Sequence, residues 1–366
     1  MSVRWGKGRA SFSVCPRGPR ASYRVGSVLH VTLGLAVVAV GACTAPSAST
    51  APIAPTASAL PSRVPVVTSP SAPTSALPAP VDIETAGAQA ITATPNVDWV
   101  VIVKEKAWVA GLGDGIGIIN SKGDVERSIE VEGWCEAMDT GFGSVWAASC
   151  EPPGLIRIDA ATGQVRRAEF TAPINDSEAS VGAGEGAVWL VAGLASEQLI
   201  GVDPEKLTVA HEYTIPAGGA GVRAGLGGVW ITRPSSDELL RVDPASGAVV
   251  ATIKVGPGPR FLAIGEGSVW VMNQMDGTVS RVDPATNIVS ATIDVGDTIH
   301  GGDIAVGAGS VWVRGGPELL AQINPVTNLV TQRFGPNAGS GSVAADENAV
   351  WVTAHDVSLI WRLPLQ

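Results

Sequence analysis

The sequence predicts an all-β protein, a seven-bladed β-propeller with four-stranded antiparallel blades. Words of the type Gly-x-Gly-Ser-Val-Trp recur along the chain, and the tryptophans in them are 38 to 43 residues apart. Each repeat also contains four short segments rich in Val, Ile and Thr. A period near forty residues with four strands per repeat is typical of propeller blades. The repeated tryptophans are Trp108, Trp146, Trp189, Trp230, Trp270, Trp312 and Trp351.

The fifth copy, residues 258–296, shows how one blade is built. FLAI, SVWVMN, TVSRVD and IVSATIDV are predicted as strands A to D, separated by turn residues. The C–D turns DPATN, DPASG and DAATG end in Asn or Gly, which accept the left-handed backbone that such a turn requires. DPEKL at 203–207 breaks this rule, so we expect that hairpin to be strained or longer.

The strands are apolar at successive positions because neighbouring blades cover both faces of each sheet. We therefore expect the repeated tryptophans to be structural and to fill the space between blades.

The two ends of the repeat region complement each other. The last copy stops after its strand C, whereas QAITA at 89–93 aligns with a strand D that has no repeat before it. Pairing the two leaves no exposed sheet edge. We predict a closed ring over residues 84–366, in which the N-terminal strand completes the last blade.

Residues 1–43 have the features of an export signal. Basic residues precede an apolar run at 25–40, which is followed by Gly-Ala-Cys. VGAC at 40–43 resembles a bacterial lipobox, so we predict acylation of Cys43 and a cell-envelope lipoprotein outside the cytoplasmic membrane or at the cell surface. The alternatives are an uncleaved signal anchor, or cleavage nearby with Cys43 incidental. Residues 44–83, rich in Pro, Ala, Ser and Thr, are predicted to be a disordered tether.

The exported part of the chain is strongly acidic. From Cys43 onward, 18 basic residues face 34 acidic ones, and such a surface repels the phosphate backbone of nucleic acids. We therefore expect no nucleic-acid partner, membrane contact only through the lipid anchor, and a monomer.

The pattern GxGSVWV…RVDPATGxVVATIxVG resembles the bacterial seven-bladed propellers of the YVTN surface-layer and virginiamycin B lyase-like superfamily. The resemblance covers residues 88–366 and implies the propeller fold. It is less informative about function, since members of this superfamily include lyases and sensor domains.

In a blade, strand A begins and strand B ends on one face, near the central channel, where propeller sites usually gather. The residues at these points are polar and differ from blade to blade, which favours a binding funnel for a small ligand, a glycan or an envelope protein. The alternative is that these loops are polar and free to vary. The funnel candidates are Glu136, Glu151, Glu178, Arg233, Arg260, Asn273, Gln274, His300, Asp303, Arg314, His355 and Asp356.

Cys135 and Cys150 lie eleven residues before and four residues after Trp146, so strand pairing places them side by side. In an exported protein such a pair is predicted to form a disulfide. A metal site is the alternative, but the two thiols have no histidine nearby in the sequence.

His300 is the candidate base if the protein is an enzyme. The resemblance implies that a lyase of this superfamily uses a His, a Glu and Mg²⁺ in the funnel. His300 stands roughly at the position of that His, but WVRGG with Arg314 replaces the run that carries the Glu. We therefore expect a non-enzymatic binding or scaffold module without a cofactor or metal. A Mg²⁺-dependent carbon–oxygen lyase is the alternative, and a purely structural spacer is a third hypothesis.

Overall fold

The structure, a computed structural model, describes residues 76–365 except Asn96, Gly113, Asp114, Ser177 and Ala179, and it describes no side chain for Glu136. The predicted signal with Cys43, and residues 44–75 of the predicted tether, lie outside the described residues. Within the described part, none of the helices has the length and apolar character needed to cross a membrane.

Two N-terminal strands precede the repeats, and each repeat then forms four antiparallel strands, A to D in chain order. The N-terminal strands are β1 (Val81–Asp82) and β2 (Gln89–Thr92). Blade 1 comprises β3 (Val100–Val103), β4 (Lys106–Ala110), β5 (Gly115–Ile119) and β6 (Val125–Glu130). Blade 2 comprises β7 (Trp134–Gly141), β8 (Ser144–Cys150), β9 (Pro153–Asp159) and β10 (Val165–Glu169). Blade 3 comprises β11 (Val181–Gly184), β12 (Ala187–Ala192), β13 (Gln198–Val202) and β14 (Val209–Thr214).

Blades 4 to 7 follow the same order, and the last has only three strands of its own. Blade 4 comprises β15 (Val222–Gly225), β16 (Gly228–Arg233), β17 (Glu238–Val242) and β18 (Val249–Lys254), and blade 5 comprises β19 (Pro259–Gly265), β20 (Ser268–Asn273), β21 (Thr278–Asp283) and β22 (Ile288–Asp294). Blade 6 comprises β23 (Asp303–Gly307), β24 (Ser310–Arg314), β25 (Leu320–Asn324) and β26 (Leu329–Gly335). Blade 7 comprises β27 (Val343–Ala345), β28 (Ala349–Ala354) and β29 (Leu359–Pro364). Two 3₁₀ turns, Pro234–Ser236 and His355–Val357, join strands B and C in blades 4 and 7.

The seven sheets form a closed ring, and the predicted fold class is confirmed. Strand A of each blade contacts strand A of the next, and β27 of blade 7 contacts β3 of blade 1. The predicted closure is also present: β2 pairs antiparallel with β29, with Ile91 opposite Ile360. Blade 7 thereby gains its fourth strand from the N-terminal end of the ring.

Strand β1 was not expected from the sequence. It adds to the outer edge of blade 6 in parallel orientation, with Val81 opposite Phe334 and Asp82 opposite Gly335. Ile83 then donates its N–H to the Gly335 carbonyl at 2.9 Å, and its side chain is buried. Two residues of the segment predicted as a tether are thus part of a blade.

The repeated tryptophans are buried between blades, and in five blades the indole N–H donates a hydrogen bond to the backbone carbonyl of a glycine five residues earlier. The Trp270 Nε1–H donates to the carbonyl of Gly265, where strand A ends, at 3.0 Å. The same bond, five residues back, recurs in four other blades. Between the two residues, Glu266 and Gly267 have φ of 50° and 68°, as a tight hairpin turn requires.

The DPEKL turn is not longer than the others. Leu207 donates its N–H to the Asp203 carbonyl at 2.9 Å, as Gly247 does to Asp243 in the DPASG turn. Leu207 takes the left-handed conformation, with φ of 56°. Its side chain is buried in the core between blades 2 and 3, and this burial offsets the backbone cost.

Candidate functional site

The central channel encloses a cavity of about 510 Å³, lined by strand A residues from all seven blades. This volume lies within the usual range of small-ligand sites, about 300–1,000 Å³. The cavity reaches the face of the ring that carries the A–B turns, where Lys104, Glu105 and Asp346 line it.

Charged side chains from alternate blades lie in the channel. In blade 2, Asp139 Oδ2 accepts a hydrogen bond from the Ala183 N–H of blade 3 at 2.8 Å. In blade 6, Asp303 Oδ2 accepts one from the Ser342 hydroxyl of blade 7 at 2.7 Å. In blade 4, Arg223 Nη1 donates to the carbonyls of Val181 in β11 and Val222 in β15, and to the hydroxyl of Ser180 just before β11, at 2.7–2.9 Å. These groups bond to the channel-facing edges of the inner strands.

The channel environment raises the pKa of both carboxyl groups. Burial raises the pKa of Asp303 to about 6, and the positive charge of Arg223 opposes this rise. Burial also raises the pKa of Asp139, again against the charge of Arg223. The channel therefore holds two weakly acidic carboxyl groups and one permanent cation.

On the opposite side, side chains of different blades meet across the ring. Trp99 of blade 1 packs edge-on against Phe261 of blade 5, with ring centroids 5.4 Å apart. Arg260 of blade 5 forms ion pairs at 2.7 Å with Asp176 and at 3.1 Å with Glu178, both in the loop before blade 3. The funnel candidates Glu178 and Arg260 therefore pair with each other.

Two further candidates, Arg233 and Asn273, form contacts close to their own strands. Arg233 forms an ion pair with Glu238 and donates to the Ala217 carbonyl. Asn273 is fully buried and donates to the hydroxyls of Thr278 and Ser280 in the adjacent strand C.

Arg314 links blade 6 to blade 7. Its side chain is fully buried and donates to the carbonyls of Thr353, Gly339 and Ser340 at 2.8–3.2 Å. Burial lowers the pKa of Arg314 to about 10, although Asp98 and Asp356 act in the opposite direction. Arg314 therefore lies within the wall and is not free to meet a ligand.

The two histidine candidates are not together with Asp303. His355 Nδ1 lies 2.8 Å from Asp356 Oδ1, and Asp356 also accepts a hydrogen bond from the Ser340 N–H. His300 is exposed in the loop before blade 6, and among the described residues no carboxylate lies within 4.0 Å of it. Asp303 instead lies buried in the channel wall.

The remaining candidates are two glutamates, a glutamine and the cysteine pair. Cys135 and Cys150 form the predicted disulfide, with Cα atoms 5.7 Å apart. Gln274 donates to the Gly301 carbonyl at 2.9 Å, Glu151 is exposed, and the side chain of Glu136 lies outside the described residues.

Sequence reasoning missed Asp139 and Arg223, although the repeat alignment contained a signal. Both stand seven residues before a repeated tryptophan, directly opposite it in the A–B pairing. The other blades have small or apolar residues at that position: Val101, Gly182, Ala263, Ala305 and Ala344. A charge at an otherwise apolar repeat position would have identified them.

Comparison with solved structures supports the fold. Selenomethionine-substituted virginiamycin B lyase from Staphylococcus aureus matches with a TM-score of 0.64 and 15% identity over 76% of this chain and 99% of that chain. A catalytically inactive variant of that lyase with quinupristin matches with a TM-score of 0.63 and 17% identity over the same shares. No family model and no curated relative matches the sequence. The chain has a virginiamycin B lyase-like β-propeller fold.

Proposed function

We propose that the protein is an exported, lipid-anchored propeller that binds a small polar ligand in its channel without transforming it. The cavity of about 510 Å³ with Asp139, Arg223 and Asp303 carries this proposal. Among the described residues, Arg223 forms no ion pair within 4.0 Å with either carboxyl group. A ligand that has both hydrogen-bond donors and acceptors can therefore bind both kinds of group.

Two features support export. Residues 1–43 have the order of a signal that ends in a lipobox-like cysteine. The Cys135–Cys150 disulfide fits an oxidising compartment, because such bonds are rare where cells keep thiols reduced. A lipid on Cys43 would hold the propeller at the cell envelope.

The channel favours a small ligand over a large partner. A single sugar unit or an amino acid fits the cavity, whereas an envelope protein could insert only a side chain or a loop tip. A glycan would enter by its end, at the face that carries Lys104 and Glu105.

Ligand-observed NMR on the purified chain tests this proposal, with separate pools of neutral sugars, amino acids and organic amines. We expect binding from at least one pool, weakened about tenfold in Arg223→Gln because one charge-assisted hydrogen bond is lost. Asp297→Asn, at an exposed loop position, is the control and should bind like the parent chain. Binding by none of the pools, or equal binding by Arg223→Gln, would overturn the channel proposal.

A Mg²⁺-dependent lyase is the alternative function, supported by the shared fold alone. The residues of this chain do not fit the metal: Arg314 stands where the resemblance implies a Glu and is bound to carbonyls. The described residues also contain no group of three His, Cys, Asp or Glu side chains that could hold a metal ion.

Incubation with quinupristin, with and without Mg²⁺, followed by mass spectrometry, distinguishes the two functions. We expect the macrocycle to stay closed in both samples. Ring opening that requires Mg²⁺ and is lost in His300→Ala would replace the binding proposal by the lyase.

A further inference from the structure

The repeated tryptophans are covered by a side chain from strand C in four blades. An arginine directly opposite the tryptophan lies over its ring, with the guanidinium carbon 5.0–5.9 Å from the ring centroid. The pairs are Arg157–Trp146, Arg241–Trp230, Arg281–Trp270 and Arg362–Trp351. In blade 3, His211 stacks on Trp189 at 5.3 Å, and in blade 6, Phe334 lies 6.4 Å from Trp312.

Blade 1 departs from this arrangement. The residue opposite Trp108 is Ile118, which has neither the length nor the charge of the arginines. The hydrogen bond that such an arginine makes to the next blade is provided instead by Arg127, from strand D, which donates to the Thr162 carbonyl at 2.9 Å. Arg157 likewise bonds the C–D turn of the next blade, at the Pro204 carbonyl and 2.8 Å, although Pro204 is the second residue of its turn and Thr162 the fourth. The link between blades is kept, but the space over Trp108 is left open.

That space is a cleft of about 330 Å³ between blades 1 and 2, at the face that carries the A–B turns. Its apolar wall is formed by Val103, Trp108, Ile118, Ala160 and Ala161. Its charged rim is formed by Lys104, Lys106, Glu126 and Arg127. The volume is at the lower end of the range for ligand sites, about 300–1,000 Å³.

The rim is positive in a protein that is otherwise strongly acidic. Three cations face one carboxylate, Glu126, which pairs with Lys106. Lys104 is exposed and, among the described residues, has no ion-pair partner within 4.0 Å. A second small cleft next to the first is lined by three lysines, Lys104, Lys106 and Lys122, and by two carboxylates, Glu105 and Glu126. With Arg127, the two clefts together have four cations and two carboxylates. The local field therefore attracts an anion.

We propose that this cleft binds a small amphipathic organic anion, an aromatic carboxylate. A planar ring takes the place that a planar guanidinium fills in other blades, against Trp108 and Ile118. The carboxylate lies at the ammonium groups of Lys104 and Lys106. The cleft shares Lys104 with the mouth of the channel but contains none of Asp139, Arg223 and Asp303, so the proposal does not depend on a ligand bound at those three residues.

The test is NMR titration of the full chain with phenylacetate and with phenylacetamide, which has the same shape without the charge. The reporter is the indole N–H signal of Trp108, assigned through Trp108→Phe. We expect phenylacetate to shift this signal and to bind at least tenfold more tightly than phenylacetamide.

Two variants locate the site. Ile118→Arg introduces the arginine that four other blades have at this position, fills the cleft and should lower phenylacetate affinity at least tenfold. Val209→Arg adds the same charge at an exposed position of blade 3 and is its matched control, with unchanged affinity expected. Lys104→Glu, at an exposed turn position, should lower affinity at least fivefold and decides the matter if Ile118→Arg does not fold.

Equal affinity for the two probes would overturn the proposal, because the lysines would then contribute nothing. Unchanged phenylacetate binding in Lys104→Glu, or in a folded Ile118→Arg, would also overturn it. A Trp108 signal that does not move at any probe concentration would show that the cleft is not a site.

Discussion

The charged residues of the channel satisfy backbone groups that the propeller geometry leaves unpaired. Strand A of each blade pairs with strand B on one side only, and its other edge faces the channel. A buried N–H or carbonyl without a partner costs about 1–3 kcal/mol. Asp139 and Asp303 accept hydrogen bonds from such N–H groups, and Arg223 donates to such carbonyls. Variants of these three residues must therefore be tested for stability as well as for ligand binding.

Asp303 makes stability depend on pH in an unusual direction. Its pKa in the folded protein is about 6, against 3.8 for the ordinary carboxyl group, so the folded state holds the proton more tightly. The free energy of unfolding should therefore fall as pH rises from about 4 to about 6, by up to ~3 kcal/mol from this group. The raised pKa of Asp139 acts in the same direction.

Urea unfolding between pH 4 and pH 7 measures this dependence. Asp303→Asn should flatten the curve in that window, whereas Asp297→Asn, at an exposed position, should leave it unchanged. An Asp303→Asn curve with the slope of the parent chain would show that Asp303 is not the group that titrates.

Trp270 should be among the most sensitive single positions for stability. Its side chain is fully buried in a cluster that includes residues of blades 5 and 6, and Arg281 lies over its ring. Trp270→Ala leaves a cavity and should lower the free energy of unfolding by about 3–5 kcal/mol in urea titrations. Leu194→Ala, at a side chain that is 82% exposed, should change it by less than about 0.5 kcal/mol. If Trp270→Ala lowers the free energy of unfolding by less than about 1 kcal/mol, Trp270 does not fill the space between blades as proposed.

At the scale of elements, the arginines of strand C join successive blades. Arg281 donates to Ser268 of its own blade at 2.9 Å and to Asn328 in the C–D turn of blade 6 at 2.9 Å. Arg281→Ala breaks these bonds and uncovers Trp270, so it should lower the free energy of unfolding by about 1–3 kcal/mol. Arg166→Ala, on an exposed part of β10, is the matched control and should have almost no effect. Equal melting temperatures of the two variants would contradict the joining role.

The strands could be predicted from the sequence because the same strand and turn motifs recur in each repeat. Gly-x-Gly, the tryptophan and the Asp-Pro turn recur in register, so a weak pattern in one copy is supported by the others. Strand β1 could not be predicted in this way. It has only two residues, occurs once, and depends on an edge of blade 6 that is remote in sequence.

The candidate site was less predictable, because side-chain direction is a tertiary property. The sequence predicts Glu178 and Arg260 as separate funnel residues, but the two side chains form an ion pair across the ring. It also predicts Arg314 as a funnel residue, but that side chain binds the backbone of the neighbouring blade. Polar residues at loop positions thus indicate the face of the ring, and only the contacts show which of them remain available.

For the whole molecule, ring closure depends on residues near the N-terminal end of the propeller. β2 completes blade 7 and β1 adds to blade 6, so one segment joins the two last blades to the start of blade 1. The indole of Trp361 in blade 7 also donates to Glu84 at 3.2 Å. A ring closed this way has no free strand edge at the junction, and loss of the closing strand exposes one.

Chains that start at different residues test this closure by thermal unfolding. A chain that starts at residue 84 loses β1 but keeps β2, and it should melt only a few degrees below a chain that starts at residue 76. A chain that starts at residue 93 also loses β2, which exposes the edge of β29 and the buried side chain of Ile360. We expect it to melt about 10 °C lower, or to aggregate, because several kcal/mol of pairing and burial are lost. Added peptide of residues 84–92 should restore part of the loss, since it can pair with the same edge. Equal melting of the chains that start at 76 and 93 would show that blades 1 and 7 hold together without the N-terminal strand.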